Sequence, residues 1–177
     1  MRRLIESIEV EFRRYKTLGE GAMAQLGDEE LTARPAPSDS SIATIVWHVS
    51  GNLISRFTHF LTSDGEKPWR DRDSEFEPRE VDRSTLTARW EEGWTVLLET
   101  LAALSDADLD RTVTIRNAPL QVHEALYRSL AHTSYHVGQI VYLAKMYRGE
   151  DWASLSIPPG GSAAYNRNPT MEKGRGR

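Results

Sequence analysis

Cysteine is absent from this 177-residue chain. That excludes disulfides, a thiol nucleophile on the protein, CxxC redox chemistry and cysteine-ligated zinc or iron–sulfur sites. Long apolar runs are missing too, and none approaches the roughly 18 residues a membrane span needs. Positive charge is in deficit, with 22 Lys and Arg against 26 Asp and Glu and a net charge of −4. No basic face of the kind that neutralises nucleic-acid phosphates is therefore expected. The short basic stretch Lys173-Gly-Arg-Gly-Arg177 is interrupted by glycine and reads as disordered. The opening Met1-Arg-Arg-Leu-Ile-Glu6 turns acidic at once, unlike a secretory signal, so the expected compartment is the cytoplasm. No GxGxxG, GxxxxGK[ST], GxSxG or HExxH motif occurs, which argues against dinucleotide and P-loop nucleotide binding, a serine-hydrolase elbow and the usual zincin base.

What is present is helical periodicity, in a chain 39 % hydrophobic and 27 % charged, the balance of one ordinary globular domain. Leu4, Ile8, Phe12, Tyr15, Ala22 and Leu26 make one stripe on a first helix, which Gly27 ends. Arg34-Pro-Ala-Pro37 is a linker, and Ser38-Asp-Ser-Ser41 offers N-cap chemistry for a second helix to about Leu61. A long polar stretch over 63–78 follows, and its Trp69 and Phe76 favour a loop that packs onto something. Ser84 is the expected cap of a third helix carrying Leu86, Trp90, Trp94, Leu97, Leu101 and Leu104. Thr112-Val-Thr-Ile115 and Leu120-Gln-Val122, joined by Arg116-Asn-Ala-Pro119, predict a small β-hairpin. A fourth helix runs from about Val122 to Tyr147 and closes at Gly149. The expected fold is all-α: a four-helix bundle over residues 1–156 with a β-hairpin before the fourth helix, then an irregular tail over 157–177.

Without cysteine, a metal site must rest on histidine and carboxylate. His132 and His136 stand at i and i+4, about 40° apart around the fourth helix and about 6 Å along it. They could grip one divalent ion, or be two partly exposed rings on a bundle flank. His123 points to the opposite side of that helix. His48 and His59 share a face of the second helix but lie about 16 Å apart along its axis, so at most one can join a site with the pair. Trp47 and Asn52 favour His48 by environment; spacing does not choose between the two. On a helical wheel His48 and His132 lie about 135° and 120° from the centres of their apolar stripes, and His136 about 80°. Such flank positions fit a cleft open on one side and a solvated polar face equally well.

The segment Ile45-Val-Trp-His48-Val-Ser-Gly-Asn52, followed much later by Leu130-Ala-His132-Thr-Ser-Tyr-His136-Val-Gly-Gln139, resembles the DinB/YfiT-like metalloenzyme family. The loop Gly65-Glu-Lys-Pro-Trp-Arg-Asp-Arg-Asp-Ser-Glu-Phe76 and the stretch Leu155-Ser-Ile-Pro158 look like one bacterial subgroup of unknown function. The resemblance covers nearly the whole chain. It implies an up-down-down-up bundle, a homodimer, and one divalent ion held by His48, His132 and His136. Related members include thiol-dependent transferases and isomerases that use low-molecular-weight thiols such as bacillithiol or mycothiol, and nothing in this chain identifies such a thiol.

Three neutral imidazoles would leave an ion with an open position, the arrangement of a catalytic rather than a structural site. Metal-bound water could then ionise near neutrality, or a bound thiol, necessarily from a cosubstrate, could lose its proton. All-histidine ligation suits zinc, nickel, copper or ferrous iron; zinc or nickel is the first expectation, with iron and manganese as alternatives. Gln139, on nearly the same face as His132, could orient a ligand or line the pocket, and Asn52 stands likewise one turn from His48. Each is equally an ordinary polar residue on a helix flank. Trp69 and Arg70 either cover the cleft mouth, with Arg70 meeting an anionic substrate, or serve structure or a dimer contact. The leading expectation is a metal-dependent enzyme acting on a small-molecule substrate by hydrolysis or thiol transfer. The competing one is a non-enzymatic homodimeric bundle that binds a ligand or protein and keeps a vestigial metal site.

Overall fold

Four long helices account for most of the apolar stripes. They are α1 (Arg3–Met23), α3 (Ile42–Phe57), α4 (Arg83–Ala103) and α5 (Val122–Arg148), and two short helices, α2 (Asp28–Thr32) and α6 (Ser162–Asn166), complete the set among the described residues. The computed structural model describes residues 1–170, so the basic stretch at 173–177 lies outside them. Among the described residues no helix is long and apolar enough to cross a membrane.

Helix α1 runs along α5, and α3 lies against α4 while also meeting α5. Helix α3 is buried almost all round, His48, Ser50, Asn52 and Ser55 included, as expected of a helix at the centre of a small protein. Ser41 caps it by accepting the Thr44 amide at 3.1 Å. The close approach of α4 depends on Gly93, where a β-carbon would overlap the Ser50 backbone. Trp90, Trp94, Leu97 and Leu101 fill the space beside it, and Phe12 of α1 meets Trp94 edge-on at 6.4 Å.

Several boundaries differ from the pattern reading for local reasons. Helix α1 stops at Met23, and the acidic run after Gly27 forms α2 instead, with Glu30 accepting the Gly27 amide at 2.6 Å. Helix α3 ends at Phe57 rather than near Leu61, because Thr58 turns extended and His59 adopts a positive φ of 51°. The cap of α4 is Asp82, which accepts the Thr85 amide at 2.7 Å, while Ser84 donates its hydroxyl to the same carboxylate. Within the tail expected to be irregular, Ser162–Asn166 is a single helical turn.

The hairpin pairs β1 (Thr112–Ile115) with β2 (Ala118–Gln121), from Thr112 opposite Gln121 to Ile115 opposite Ala118. Its connection is two residues, not four. Arg116 and Asn117 both take positive φ, 55° and 61°, as a type I′ turn requires. Asp64 stabilises that pair by accepting both their amides at 2.8 Å, together with the Glu66 amide at 2.7 Å. One carboxylate thus ties the hairpin tip to the start of the polar loop. Beyond that point the loop crosses α3, and its helical turn Asp73–Phe76 sits on the face that carries His48.

A candidate metal centre between two helices

His48 projects from α3, and His132 and His136 project from successive turns of α5. Their ring centroids form a near-equilateral triangle with sides of 5.1, 4.7 and 4.5 Å, and each pair of planes is steeply inclined, by 66, 72 and 71°. Each ring offers one ligand atom, and the three atoms lie within 4.8 Å of one another. The Nε2 atoms of His48 and His132 are 3.2 Å apart. Two nitrogens on a tetrahedral ion at about 2.0–2.1 Å would stand about 3.3 Å apart.

The outer nitrogens decide which inner atoms are free. His48 Nδ1 donates to Glu75 Oε2 at 2.9 Å, and His136 Nδ1 donates to Gln139 Oε1 at 2.8 Å. The amide of Gln139 is oriented in turn, because its Nε2 donates to the Tyr135 hydroxyl at 3.2 Å. A carboxylate and an amide oxygen accept only, so the proton stays on Nδ1 and each Nε2 presents a lone pair inward. Among the described residues His132 has no such orienting partner, and its buried Nδ1 makes no hydrogen bond. Burial pushes the His132 ring down to about 3, helped by the nearby rings of His136 and His48 and by Arg70 and Arg56. Burial also lowers His136, against the opposing bond from Gln139. Three imidazoles whose inner nitrogens crowd at one point, two of them oriented from behind by Glu75 and Gln139, are a donor set that a divalent cation fits.

Glu75 is the organising residue that pattern reading missed. Its carboxylate takes a two-pronged grip from Arg70, Nε to Oε1 and a terminal nitrogen to Oε2, both at 2.8 Å. The Arg70 side chain is 3 % exposed and that of Glu75 is 6 %. Burial alone would raise the Glu75 carboxyl, but the bonds from His48 and Arg70 outweigh it and hold the group below its usual range. The contact is possible because residue 51 is glycine: a β-carbon there would overlap the Glu75 carboxylate. Phe76 then stacks over His48 at 4.5 Å. This cover explains why His48, a flank residue on the wheel, is only 4 % exposed. Nothing local distinguishes Glu75 from Glu66, Asp71, Asp73 or Glu77 in the same charged loop. Only the loop's path over Gly51 selects it.

Other expectations resolve one by one. Asn52 is buried and lines a cavity shared with His48 and His132. His59 is exposed at the end of α3, and His123 bonds the Leu109 carbonyl at 3.1 Å, so neither joins the cluster. Trp69 stays 58 % exposed. Arg70 is not free to meet a substrate at the cleft mouth, because Glu75 occupies it.

The model of a protein family of unknown function, DUF1572, matches residues 1–161. The chain belongs to the DUF1572 family. No curated protein matches this DUF1572 member. A solved structure, described as that of a conserved protein from Enterococcus faecalis, shares 17 % identity with it at a TM-score of 0.65. That likeness covers 85 % of this chain and 99 % of the other, and it concerns the fold alone.

Proposed function

We propose that this DUF1572 protein is a divalent-metal-dependent enzyme acting on a small molecule. In this reading His48, His132 and His136 are the ligands, zinc or nickel is the ion, and the reaction is hydrolysis or transfer of a low-molecular-weight thiol. The four long helices are read as a DinB/YfiT-like up-down-down-up four-helix bundle that works as a cytoplasmic homodimer. The observation that carries the proposal is the convergence of three imidazoles from two helices, with two Nε2 atoms 3.2 Å apart. When bound, the ion supplies Lewis acidity and lowers the pKa of a water or thiol that reaches it.

The chain's own residues prepare that point. Glu75 holds the His48 proton on Nδ1 and fixes the ring plane, and Arg70 keeps Glu75 ionised. Gln139 does the corresponding work for His136. Phe76 lies over His48 and limits water on that side. The approach left to a substrate is the cavity of about 200 Å³ bounded by His48, Asn52, Ser129 and His132.

A panel of esters, amides and thiol conjugates, assayed with zinc, nickel, manganese and ferrous iron, tests the reading. Turnover that depends on added metal and disappears in His132→Ala supports it. One observation favours a second reading, a binding bundle that keeps a vestigial ion: among the described residues no carboxylate lines the cavity, and Glu75 is already engaged. No turnover across the panel, from protein shown to hold one ion per chain, would favour that alternative.

A further inference from the structure

The chain is acidic overall, yet the cavity beside the three histidines is walled by arginine. Arg56 and Arg70 stand at its inner end, with side chains 13 % and 3 % exposed. Arg72, Arg116 and Arg128 line it nearer the surface, and among the described residues no Asp or Glu does. Two carboxylates behind this wall must serve most of the guanidinium groups. Glu66 takes both Arg56, at 3.2 Å, and Arg116, at 3.0 Å. Glu75 takes Arg70 and shares its charge with His48. Asp73 stands 3.8 Å from Arg72 with its side chain 99 % exposed, where water screens it. Asp64 is occupied by backbone amides. Among the described residues Arg128 has no acidic partner. Burial, together with the positive charges of Arg70 and Arg116, pulls Arg56 below its ordinary value despite Glu66. Positive charge therefore stands uncompensated around the cavity, in surroundings where one anion would relieve the repulsion.

A second observation points into the same space. Ser129 is 7 % exposed and its hydroxyl is buried with no hydrogen-bond partner among the described residues. Ser129 and Asn52, the latter 9 % exposed, both line the cavity. Buried polar groups are normally satisfied, and an orphaned hydroxyl on a cavity-lining residue is one that a bound oxygen can satisfy after a rotation of the side chain.

We propose that this cavity binds a small oxyanion, a carboxylate or a phosphate, that Arg128 and Arg116 draw in and that Ser129 and Asn52 orient beside His132. This deepens the reading above by naming the substrate class as anionic, and it rests on that reading only for what happens to the anion after binding. The guanidinium plane suits two-pronged bonding to either oxyanion. Selectivity for an anion over a neutral amide would come from the guanidinium groups, which donate only and carry charge, while Ser129 and Asn52 orient the bound oxygens.

The test is calorimetric titration of the full chain with sodium acetate, with inorganic phosphate and with neutral acetamide, at constant ionic strength, before and after loading with zinc. Saturable binding of one equivalent of acetate or phosphate, with none of acetamide, is expected, and the tighter anion identifies the class. Arg128→Gln should weaken that binding at least tenfold, and Ser129→Ala severalfold, while Arg13→Gln on α1 leaves it unchanged. Arg128 is exposed, so its replacement leaves the core intact, and an unchanged circular dichroism spectrum checks this. The inference is overturned if neither anion saturates, if acetamide binds equally well, or if Arg128→Gln and Ser129→Ala both bind like the parent. Zinc taken up at one per chain without anion binding overturns this inference and leaves the metal reading standing. Anion binding by a chain that takes up no zinc, nickel, manganese or ferrous iron does the reverse.

Discussion

At the scale of single residues, the candidate site is a hydrogen-bonded relay, Arg70 to Glu75 to His48, set opposite the pair on α5. Partners that orient a ligating histidine commonly change metal affinity by about 10–100-fold. Glu75→Gln should therefore weaken zinc binding by a factor in that range, read by competition with a chromophoric chelator, with helix content retained. Gln139→Ala should weaken it less, since a neutral amide polarises an imidazole less than a carboxylate does. His48→Ala should abolish tight binding, whereas His59→Ala and His123→Ala should leave one ion per chain, because neither ring reaches the cluster. Equal losses from all three histidine replacements would mean the ion sits elsewhere.

The helices, the loop and the hairpin set a second group of constraints. Alanine is favoured over glycine within a helix by about 1 kcal/mol, so Gly51→Ala should stabilise α3 considered alone. Its β-carbon would nevertheless displace Glu75. The expected outcome is an unchanged helical spectrum with zinc affinity lowered toward that of Glu75→Gln. The hairpin is joined to the same loop by Asp64. Burial raises this carboxyl, but the amides of Glu66, Asn117 and Arg116 more than reverse the effect and hold it far below the usual carboxylate range. A group depressed in this way adds stability that is complete above its unfolded value of about 3.9 and is lost as pH falls toward its folded value. The melting temperature should therefore fall below about pH 4 more steeply in the parent than in Asp64→Asn. Parallel pH profiles would contradict this role. Much at this scale is readable from the chain. The stripes of α4 and α5 lie where periodicity puts them, and the hairpin precedes α5; on α1, Ile8, Phe12 and Ala22 are buried as expected, but Ile5 rather than the exposed Leu4 enters the core and Leu26 lies past the helix end. What pattern reading misses is local competition: Asp82 displacing Ser84 as a cap, and Asn117 accepting a positive φ that shortens the turn.

For the whole molecule, an ion held between α3 and α5 would brace two helices far apart in the chain. Zinc at about 100 times its dissociation constant should add about 2.7 kcal/mol. For a domain of this size that corresponds to a rise of about 5–10 °C in melting temperature. A melt indifferent to zinc, nickel, manganese and iron would contradict the site. The amino-acid order by itself determined the predominantly helical character, the exclusion of cysteine chemistry, and the i, i+4 spacing that puts His132 and His136 on one face of α5. These follow from periodicity and composition, which operate within a few turns of chain. The family resemblance named His48, but only the tertiary structure brought its ring to that pair, made Glu75 the carboxylate behind it, and gave an acidic chain an arginine-walled cavity. Those outcomes depend on where a loop lands across a helix. Wheels and spacings describe each helix alone, and the loop's landing point is set by long-range packing over Gly51.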